Sequence, residues 1–283
     1  MSQKVWFITG ASRGLGRIWA EAAIQRGDKV AVTARKLEAV SDLKEKYGDL
    51  VLPLALDVTN AAQTTEAIAS AHQYFGRLDI ILNNAGYALV GAVEEPDEAS
   101  IRAEFDTNFF GALRVIREAL PYLREQGSGH ILGVSSVAGI LAHPISGYYH
   151  ASKWAFEAIH ESLSQEVKQF GIKVTIFEPG PYATDFSSQS SLVISEGLDA
   201  YAEMRAAAFV AGAKMNFGDP HATVDAVFKV VDSENPPLRL FLGMEGLDLV
   251  PAAYAARIAA WKEWEPVSTA AQGEAQAHSI ANL

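Results

Sequence analysis

Short runs of apolar residues alternate along this chain with longer segments in which apolar residues recur every three or four positions. The short runs, rich in Val, Ile, Leu and Phe, predict strands at residues 4–9, 29–34, 50–56, 78–83, 129–135, 172–178 and 238–242. The longer segments predict helices near residues 15–26, 37–46, 61–75, 98–126 and 149–170. Strands with few polar interruptions are typical of parallel sheets that are covered on both faces. The alternation therefore predicts an α/β fold, a doubly wound parallel sheet of about seven strands with helices on both faces.

The alternation is interrupted in three places. Pro121 lies inside the predicted helix 98–126 and is expected to kink or break it, because proline cannot donate a backbone hydrogen bond. Residues 186–217 are first Ser-rich and then Ala-rich and do not fit the strand–helix alternation. Residues 266–283 lack apolar periodicity and predict a flexible C-terminal tail. Since no linker precedes it, we expect residues 1–265 to form a single domain.

Composition and charge exclude several classes of function. The 283 residues carry a formal net charge of −11, which disfavours binding to nucleic acids and to anionic membranes. The absence of cysteine excludes disulfides, thiolate catalysis and zinc–thiolate sites. The first strand begins almost at Met1, and no apolar run approaches the roughly 18–20 residues that span a bilayer. We therefore expect a cytoplasmic protein, and no spacing of His, Asp or Glu predicts a metal site.

A glycine-rich segment at residues 9–16 follows the first strand and opens the first helix. Its spacing is Gly-x-x-x-Gly-x-Gly, and glycines let the backbone approach a pyrophosphate closely while the helix N-terminus offers unpaired N–H groups. An ordinary strand–helix turn would also use glycine, so the spacing alone leaves both interpretations open. If the segment binds a dinucleotide, the residues expected to contact it are Gly10, Ser12, Arg13, Gly14, Leu15 and Gly16.

Two arginines indicate which dinucleotide the segment would prefer. Arg13 lies within the glycine-rich segment, and Arg35 follows the second strand. Sites that prefer NAD usually carry an acidic residue at the latter point, whereas this chain has Ala34 and then Arg35. Guanidinium groups suit a 2′-phosphate, so the pair predicts NADP(H). The alternative is that both arginines are solvated surface residues.

A tyrosine and a lysine four residues apart begin the last predicted helix. Tyr149 and Lys153 would share one helix face, and a nearby ammonium group is expected to lower the tyrosine pKa from about 10, so that the phenol can exchange a proton near neutrality. Such a spacing also arises between unrelated surface residues. Ser135 and Ser136 end the fifth predicted strand, where a hydroxyl could hold a substrate oxygen, although turns use serine as well.

Taken in order, these motifs resemble those of the classical short-chain dehydrogenases/reductases, over about residues 4 to 243. The similarity rests on residues at the family's spacing, namely Thr9-Gly10-x-x-x-Gly14-x-Gly16, Asp57-Val58, Asn83-Asn84-Ala85-Gly86, Asn108, Tyr149-x-x-x-Lys153, and Pro179-Gly180 with Thr184. The resemblance implies a Rossmann-like fold and a bound NADP(H). It adds contacts to that cofactor from Asp57, Val58, Asn84, Ala85, Gly86, Tyr149, Lys153, Pro179, Gly180 and Thr184.

The resemblance also implies a catalytic tetrad of Asn108, Ser136, Tyr149 and Lys153. The family's serine lies 13 residues before its tyrosine, which selects Ser136 rather than Ser135. Tyr148 is excluded because Lys153 follows it by five residues. In this scheme Tyr149 protonates the developing alkoxide, Ser136 orients the carbonyl, Lys153 lowers the pKa of Tyr149 and binds the nicotinamide ribose, and Asn108 supports Lys153 through a water.

The expected function is therefore an NADP(H)-dependent oxidoreductase that interconverts a ketone or aldehyde and its alcohol by hydride transfer. A non-catalytic dinucleotide sensor, or an epimerase or dehydratase on the same fold, are the alternatives. Residues 186–217 are expected to form a substrate lid with an apolar face, although a helix packed permanently on the core would show the same pattern. Few charges lie nearby, which predicts a neutral, hydrophobic substrate. The family resemblance also admits a homo-oligomer.

Overall fold

A sheet of seven parallel strands organises the chain, in the order β3-β2-β1-β4-β6-β7-β9. The computed structural model describes residues 3–187 and 191–274. Its strands are β1 (Val5–Ile8), β2 (Lys29–Ala34), β3 (Val51–Ala55), β4 (Ile80–Asn83), β5 (Ala88–Val90), β6 (Gly129–Val134), β7 (Ile172–Pro179), β8 (Leu192–Ile194) and β9 (Arg239–Leu242). The seven strands predicted from the apolar runs are those of this sheet, so the predicted fold class is confirmed.

The sheet is buried on both faces because successive side chains of each strand point to opposite sides. In β1, Trp6 and Ile8 belong to the core on one face, while Val5 and Phe7 belong to the core on the other. Since both sets must be apolar, the strand reads as a continuous apolar run and not as an alternating one. This is why the runs predict a parallel sheet.

Helices from the first part of the chain cover both faces of this sheet. In chain order, the helices of the described residues are α1 (Gly14–Gln25), α2 (Glu38–Tyr47), α3 (Ala61–Phe75), α4 (Glu98–Phe105), α5 (Ala112–Gln126), α6 (Gly147–Glu166), α7 (Ala202–Ala213), α8 (Thr223–Asp232), α9 (Glu245–Glu263) and α10 (Glu265–Gln272). Helices α1, α2 and α8 supply residues to one core, and α3, α5 and α6 supply residues to the other.

The predicted helix 98–126 is interrupted, but not at Pro121. A π-helical segment, Asp106–Gly111, separates α4 from α5, and α5 continues through Pro121 to Gln126. The prediction that Pro121 breaks the helix is therefore wrong. The wider π turn re-aims the side chains of this segment, and such turns are frequent at functional sites.

A second, two-stranded sheet was not predicted. In it β5 pairs in parallel with β8, with Ala88 opposite Leu192 and Val90 opposite Ile194. Each strand has three residues, too few for a periodic signal. This pairing joins the chain that leaves β4 to the predicted lid.

The chain divides into two compact units, Met1–Gly246 and Leu247–Leu283. This differs from the division expected at residue 265. Helix α10 also gives residues 265–272 regular structure, where the sequence predicts a flexible tail, and residues 275–283 lie outside the described residues. Within the described part of the chain, no helix combines the length and the apolar character needed to cross a bilayer.

Candidate active site

The glycine-rich segment between β1 and α1 has the backbone geometry of an anion-binding loop. Gly10 and Gly14 have φ values of +67° and +57°, a region that side chains other than glycine rarely adopt. A Cβ on Gly16 would lie 2.4 Å from Asn84 Nδ2, so the helix approaches the next loop very closely. Helix α1 has no side-chain cap and no acidic residue in its first turn. Its N-terminus can therefore bind a phosphate through backbone N–H groups.

Hydrogen bonds tie this loop to the turn that follows β4. Thr9 Oγ1 accepts from the amides of Asn84 and Ala85 at 2.9 and 3.0 Å. Asn84 Nδ2 in turn donates to the carbonyls of Thr9 and Gly10, both at 3.0 Å. The two predicted cofactor segments therefore form one rigid edge.

The residues predicted to bind the adenosine half lie at the ends of β2 and β3. Arg35 is exposed just after β2. Asp57 Oδ1 accepts from the Thr59 amide and hydroxyl, and Val58 is buried. Arg13, by contrast, donates to Ser191 Oγ at 2.8 Å, so it contacts the predicted lid segment in this structure.

The Pro179–Gly180 segment returns the chain to the glycine-rich loop. It ends β7, and Gly180 donates to the carbonyl of Leu242 at 3.0 Å. Thr184 follows this segment and lies next to the glycine-rich segment, since a Cβ built on Gly14 would be 3.7 Å from the Cβ of Thr184. Thr184, which the resemblance predicts as a contact to the cofactor, thus lies beside the glycine-rich segment.

The predicted catalytic residues meet beyond the carboxyl ends of β4 and β6. Tyr149 and Lys153 occupy one face of α6, with Lys153 Nζ 5.8 Å from the centre of the tyrosine ring. Ser136 follows β6, accepts from the Ala138 amide at 3.1 Å and forms a hydrogen bond with Tyr149. Tyr148 points elsewhere, because its hydroxyl donates to the Val93 carbonyl at 2.6 Å.

Asn108 joins this group from the π-helical segment. Its Nδ2 donates to the Tyr87 carbonyl at 2.8 Å and to Ser152 Oγ at 3.0 Å, and its Oδ1 accepts from the Tyr87 amide at 3.0 Å. A Cβ on Gly86 would lie 3.0 Å from Asn108 Oδ1 and 3.5 Å from Lys153 Nζ. All four predicted catalytic residues are therefore brought together against the turn after β4.

Burial dominates the electrostatics of the pair on α6. It raises the pKa of Tyr149 above its ordinary value, and the hydrogen bond with Ser136 only partly offsets that rise. Burial also lowers the pKa of Lys153 to about 8, against the attraction of Glu104 and Glu157. In this environment the pKa of Tyr149 is raised, because lost hydration outweighs the hydrogen bond that favours the tyrosinate, and the lowering expected from Lys153 stays a prediction. Tyr149 is a neutral phenol, and hence a proton donor, at neutral pH.

The sequence analysis does not predict two side chains that lie near the four catalytic candidates. Glu104 is fully buried on α4, and its Oε1 accepts from the Leu89 amide at 2.7 Å. Phe186 lies against Tyr149, with the ring centres 6.0 Å apart. A glutamate in a predicted helix gives by itself no sign of burial. The signal in the sequence is its spacing, because Glu104 lies four residues before Asn108 and so is expected on the same helix face.

Besides Arg13 and the β5–β8 pairing, Glu95 fastens the predicted lid to the body. Glu95 accepts from the Arg205 guanidinium and the Leu198 amide, while its Oε2 accepts from the Ala92 amide. A Cβ on Gly197 would lie 2.2 Å from Arg205 Cζ, so only glycine leaves room for this guanidinium. No residue of α7 is buried. Residues 188–190 of the segment lie outside the described residues.

Comparison with known proteins agrees with this geometry. The family model for short chain dehydrogenases matches residues 4–192. The chain is 40% identical over 270 residues to oxidoreductase BOA17 of Botryotinia fuckeliana, covering 94% of this chain and 98% of that protein. It is 33% identical over 246 residues to a 3-ketodihydrosphingosine reductase of Bacteroides thetaiotaomicron, covering 86% and 89%.

A solved structure gives the same result. A short chain dehydrogenase from Burkholderia cenocepacia in complex with NADP superposes with a TM-score of 0.75 at 27% identity, covering 93% of this chain and 97% of that one. The family match, the two relatives and this structure each span most of the chain. The protein therefore belongs to the short-chain dehydrogenase family of oxidoreductases.

Proposed function

We propose that this protein is an NADP(H)-dependent reductase of neutral, hydrophobic ketones or aldehydes, acting by hydride transfer and able to run in reverse on the alcohol. The observation that carries the proposal is the meeting of Ser136, Tyr149, Lys153 and Asn108 beside a phosphate-binding glycine loop. A dinucleotide sensor on the same fold would need the loop but not a proton donor next to it.

The residues present fit a nicotinamide dinucleotide. The backbone of residues 10–16 and the uncapped N-terminus of α1 would hold its pyrophosphate, and Thr184 with Pro179–Gly180 would hold the nicotinamide end. When bound, the cofactor supplies the hydride. Arg35 and the absence of an acidic residue at the end of β2 support NADP(H) over NAD(H).

The side chains around Tyr149 would handle the proton and the carbonyl oxygen. Ser136 would donate a hydrogen bond to that oxygen and align it with the Tyr149 hydroxyl. Tyr149, kept neutral by burial, would donate its proton as negative charge develops. Lys153, held by the Val134 carbonyl at 2.9 Å, would stabilise the tyrosinate that remains. A neutral Tyr149 at neutral pH favours the direction of carbonyl reduction.

Apolar side chains in this part of the molecule support a neutral, apolar substrate. Phe186 packs on the Tyr149 ring, and the segments after β4 and β6 bury Leu89 and Val90 of β5 and Ile140 and Leu141. Of the two cations of the lid segment, Arg205 and Lys214, the first is engaged by Glu95 and is not available to a carboxylate substrate. The Bacteroides relative is named as a 3-ketodihydrosphingosine reductase, which agrees with the reduction of a ketone.

The proposal is tested by following NADPH oxidation with matched pairs of neutral and anionic ketones. We expect clear turnover and a higher kcat/KM for the neutral member of each pair. Tyr149→Phe should lose turnover by about a thousandfold or more yet still bind NADPH, because only the proton donor is removed. Tyr148→Phe is the matched control and should stay active. Full activity in Tyr149→Phe, or a consistent advantage for anionic ketones, would contradict the proposal.

A further inference from the structure

Glu104 is a buried acid that the mechanism above does not use. Its side chain is fully shielded from solvent, and its Oε1 accepts from the Leu89 amide at 2.7 Å. Its second oxygen, Oε2, is also buried and has no hydrogen-bond partner among the described residues. A buried carboxylate oxygen without a donor is costly, so a favourable charge nearby must offset it if the group is ionised.

Lys153, on the neighbouring α6, provides that charge. A Cβ on Gly86 would lie 3.5 Å from Lys153 Nζ and 3.0 Å from Oδ1 of Asn108. Since Asn108 follows Glu104 by four residues, the ammonium and the buried acid belong to one cluster. The ammonium of Lys153 is buried and donates to the Val134 carbonyl, which satisfies one of its three protons. The attraction between the two groups lowers the pKa of Glu104 and raises that of Lys153, in each case against the larger effect of burial. Each group therefore favours the charged form of the other.

Other ionisable groups also interact with this pair. On α6, Glu157 also attracts Lys153. Glu104 raises the pKa of Tyr149 on α6 and of Tyr87 on the turn after β4, because its negative charge opposes a second one. Removing the charge of Glu104 should therefore lower the pKa values of both Lys153 and Tyr149.

We propose that Glu104 is a positioning residue of the catalytic centre, whose buried carboxylate, fixed to the Leu89 amide, keeps Lys153 in its ammonium form. This rests on the proposed function for its consequence in turnover, but the charge coupling itself exists without substrate. Glu104→Gln separates the two properties of the side chain, since glutamine can still accept from the Leu89 amide but carries no charge.

The coupling is measured by NMR titration of protein labelled with ¹³C at lysine Cε, in which the Lys153 signal is identified by its loss in Lys153→Met. We expect the Lys153 midpoint near the value of about 8 that burial produces, and at least ~0.5 unit lower in Glu104→Gln. Glu98→Gln is the matched control, because Glu98 lies on the same helix but is solvent-exposed. An unchanged Lys153 midpoint in Glu104→Gln would overturn the proposal.

A reciprocal titration keeps the proposal testable if Glu104→Gln does not fold. In Lys153→Met, the carboxyl midpoint of Glu104, followed by ¹³C at glutamate Cδ, should rise above about 7, and an unchanged midpoint would again overturn the proposal. With a ketone substrate, Glu104→Gln should also move the alkaline decline of the reduction rate to lower pH. Because the titrations need no substrate, they can succeed or fail independently of the carbonyl-reductase assignment.

Discussion

Gly16 lies where the first turn of α1 passes closest to the next loop. A Cβ there would be 2.4 Å from Asn84 Nδ2 and 2.6 Å from the Gly10 carbonyl oxygen, both parts of the hydrogen-bonded edge that we propose binds the cofactor. Such distances force the backbone or Asn84 to move. At the scale of the residue, steric room, more than charge, limits what this loop accepts.

We therefore expect Gly16→Ala to weaken NADPH binding by about tenfold or more, because the shifted Asn84 would release the Thr9 and Gly10 carbonyls. Titration of NADPH fluorescence measures the effect. Gly212→Ala is the matched control, since nothing lies within 4 Å of a Cβ at that helical position. That control should raise the free energy of unfolding by about 0.5–1 kcal/mol, as expected for replacing a helical glycine. Unchanged NADPH affinity in Gly16→Ala would show that the loop adapts.

We expect single residues to decide the choice between NADPH and NADH as well. Replacing Arg35 by Ala together with Ala34 by Asp should lower the ratio of kcat/KM for NADPH to that for NADH by about tenfold or more, because the new carboxylate binds ribose hydroxyls and repels a 2′-phosphate. Lys36→Ala, which removes the adjacent exposed cation, should leave the ratio nearly unchanged. If the unmodified protein used NADH as well as NADPH, the assignment of these residues would be wrong.

At the scale of the element, Glu95 joins two segments that are about a hundred residues apart. It accepts from Arg205 and from the Leu198 amide on the lid segment, and from the Ala92 amide on the loop after β5. Its side chain is shielded from solvent, which reduces the screening that weakens exposed ion pairs. Because α7 buries none of its residues, this contact and the β5–β8 pairing hold the lid segment in place.

Loss of this contact should therefore loosen the lid segment without unfolding the sheet. In Arg205→Met we expect faster proteolytic cleavage within residues 191–217 and a several-fold higher KM for the ketone, at nearly unchanged NADPH affinity. Glu203→Gln, an exposed change on the same helix, is the control. The double variant with Glu95→Gln should be little worse than either single variant, since the residues act together. Additive effects would show that they act separately.

The sequence predicts the large elements well and the irregular ones poorly. The seven sheet strands and α3 come directly from apolar periodicity, because burial on two faces leaves a strong pattern. The strands β5 and β8 are not predicted, because three residues are too few to show a periodic pattern. The sequence also does not predict the π-helical segment at Asn108 or the left-handed φ of +61° at Ile145, since tertiary packing imposes both.

The candidate site likewise has features that the sequence predicts and features that only the packing of the elements determines. The order and spacing of the motifs are enough to select Ser136 over Ser135 and Tyr149 over Tyr148. They do not reveal that burial raises the pKa of Tyr149, or that a buried Glu104 attracts Lys153, because burial depends on how the elements pack.

At the scale of the whole molecule, several titratable groups are buried in the core, and their pKa shifts make stability depend on pH. The largest cluster surrounds Arg239 on β9, which contacts Glu157 at 3.0 Å, Glu161 at 2.9 Å and Glu178 at 3.4 Å. Burial, followed by repulsion from Glu157, raises the pKa of Glu178 to about 8, although Arg239 opposes the rise. Glu178 therefore binds its proton more tightly in the folded chain than in the unfolded chain.

A carboxyl with a raised pKa in the folded state stabilises the protein when protonated, and this contribution is lost as pH rises from its unfolded value near 4.5 to about 8. The buried His130 and His160 have the opposite effect, because burial lowers their pKa values to about 3 and about 4, but their influence ends near pH 6.5. Between about pH 6.5 and 8 the carboxyl groups dominate, so the free energy of unfolding should fall by roughly 2 kcal/mol.

Urea unfolding at several pH values between 6.5 and 8 measures this fall in the free energy of unfolding. Glu178→Gln should remove most of it, whereas Glu161→Gln, at an exposed partner of the same arginine, should not. Stability that stays flat or rises over this interval in the unmodified protein would mean that Glu178 is ionised in the fold and that Arg239, not burial, controls it.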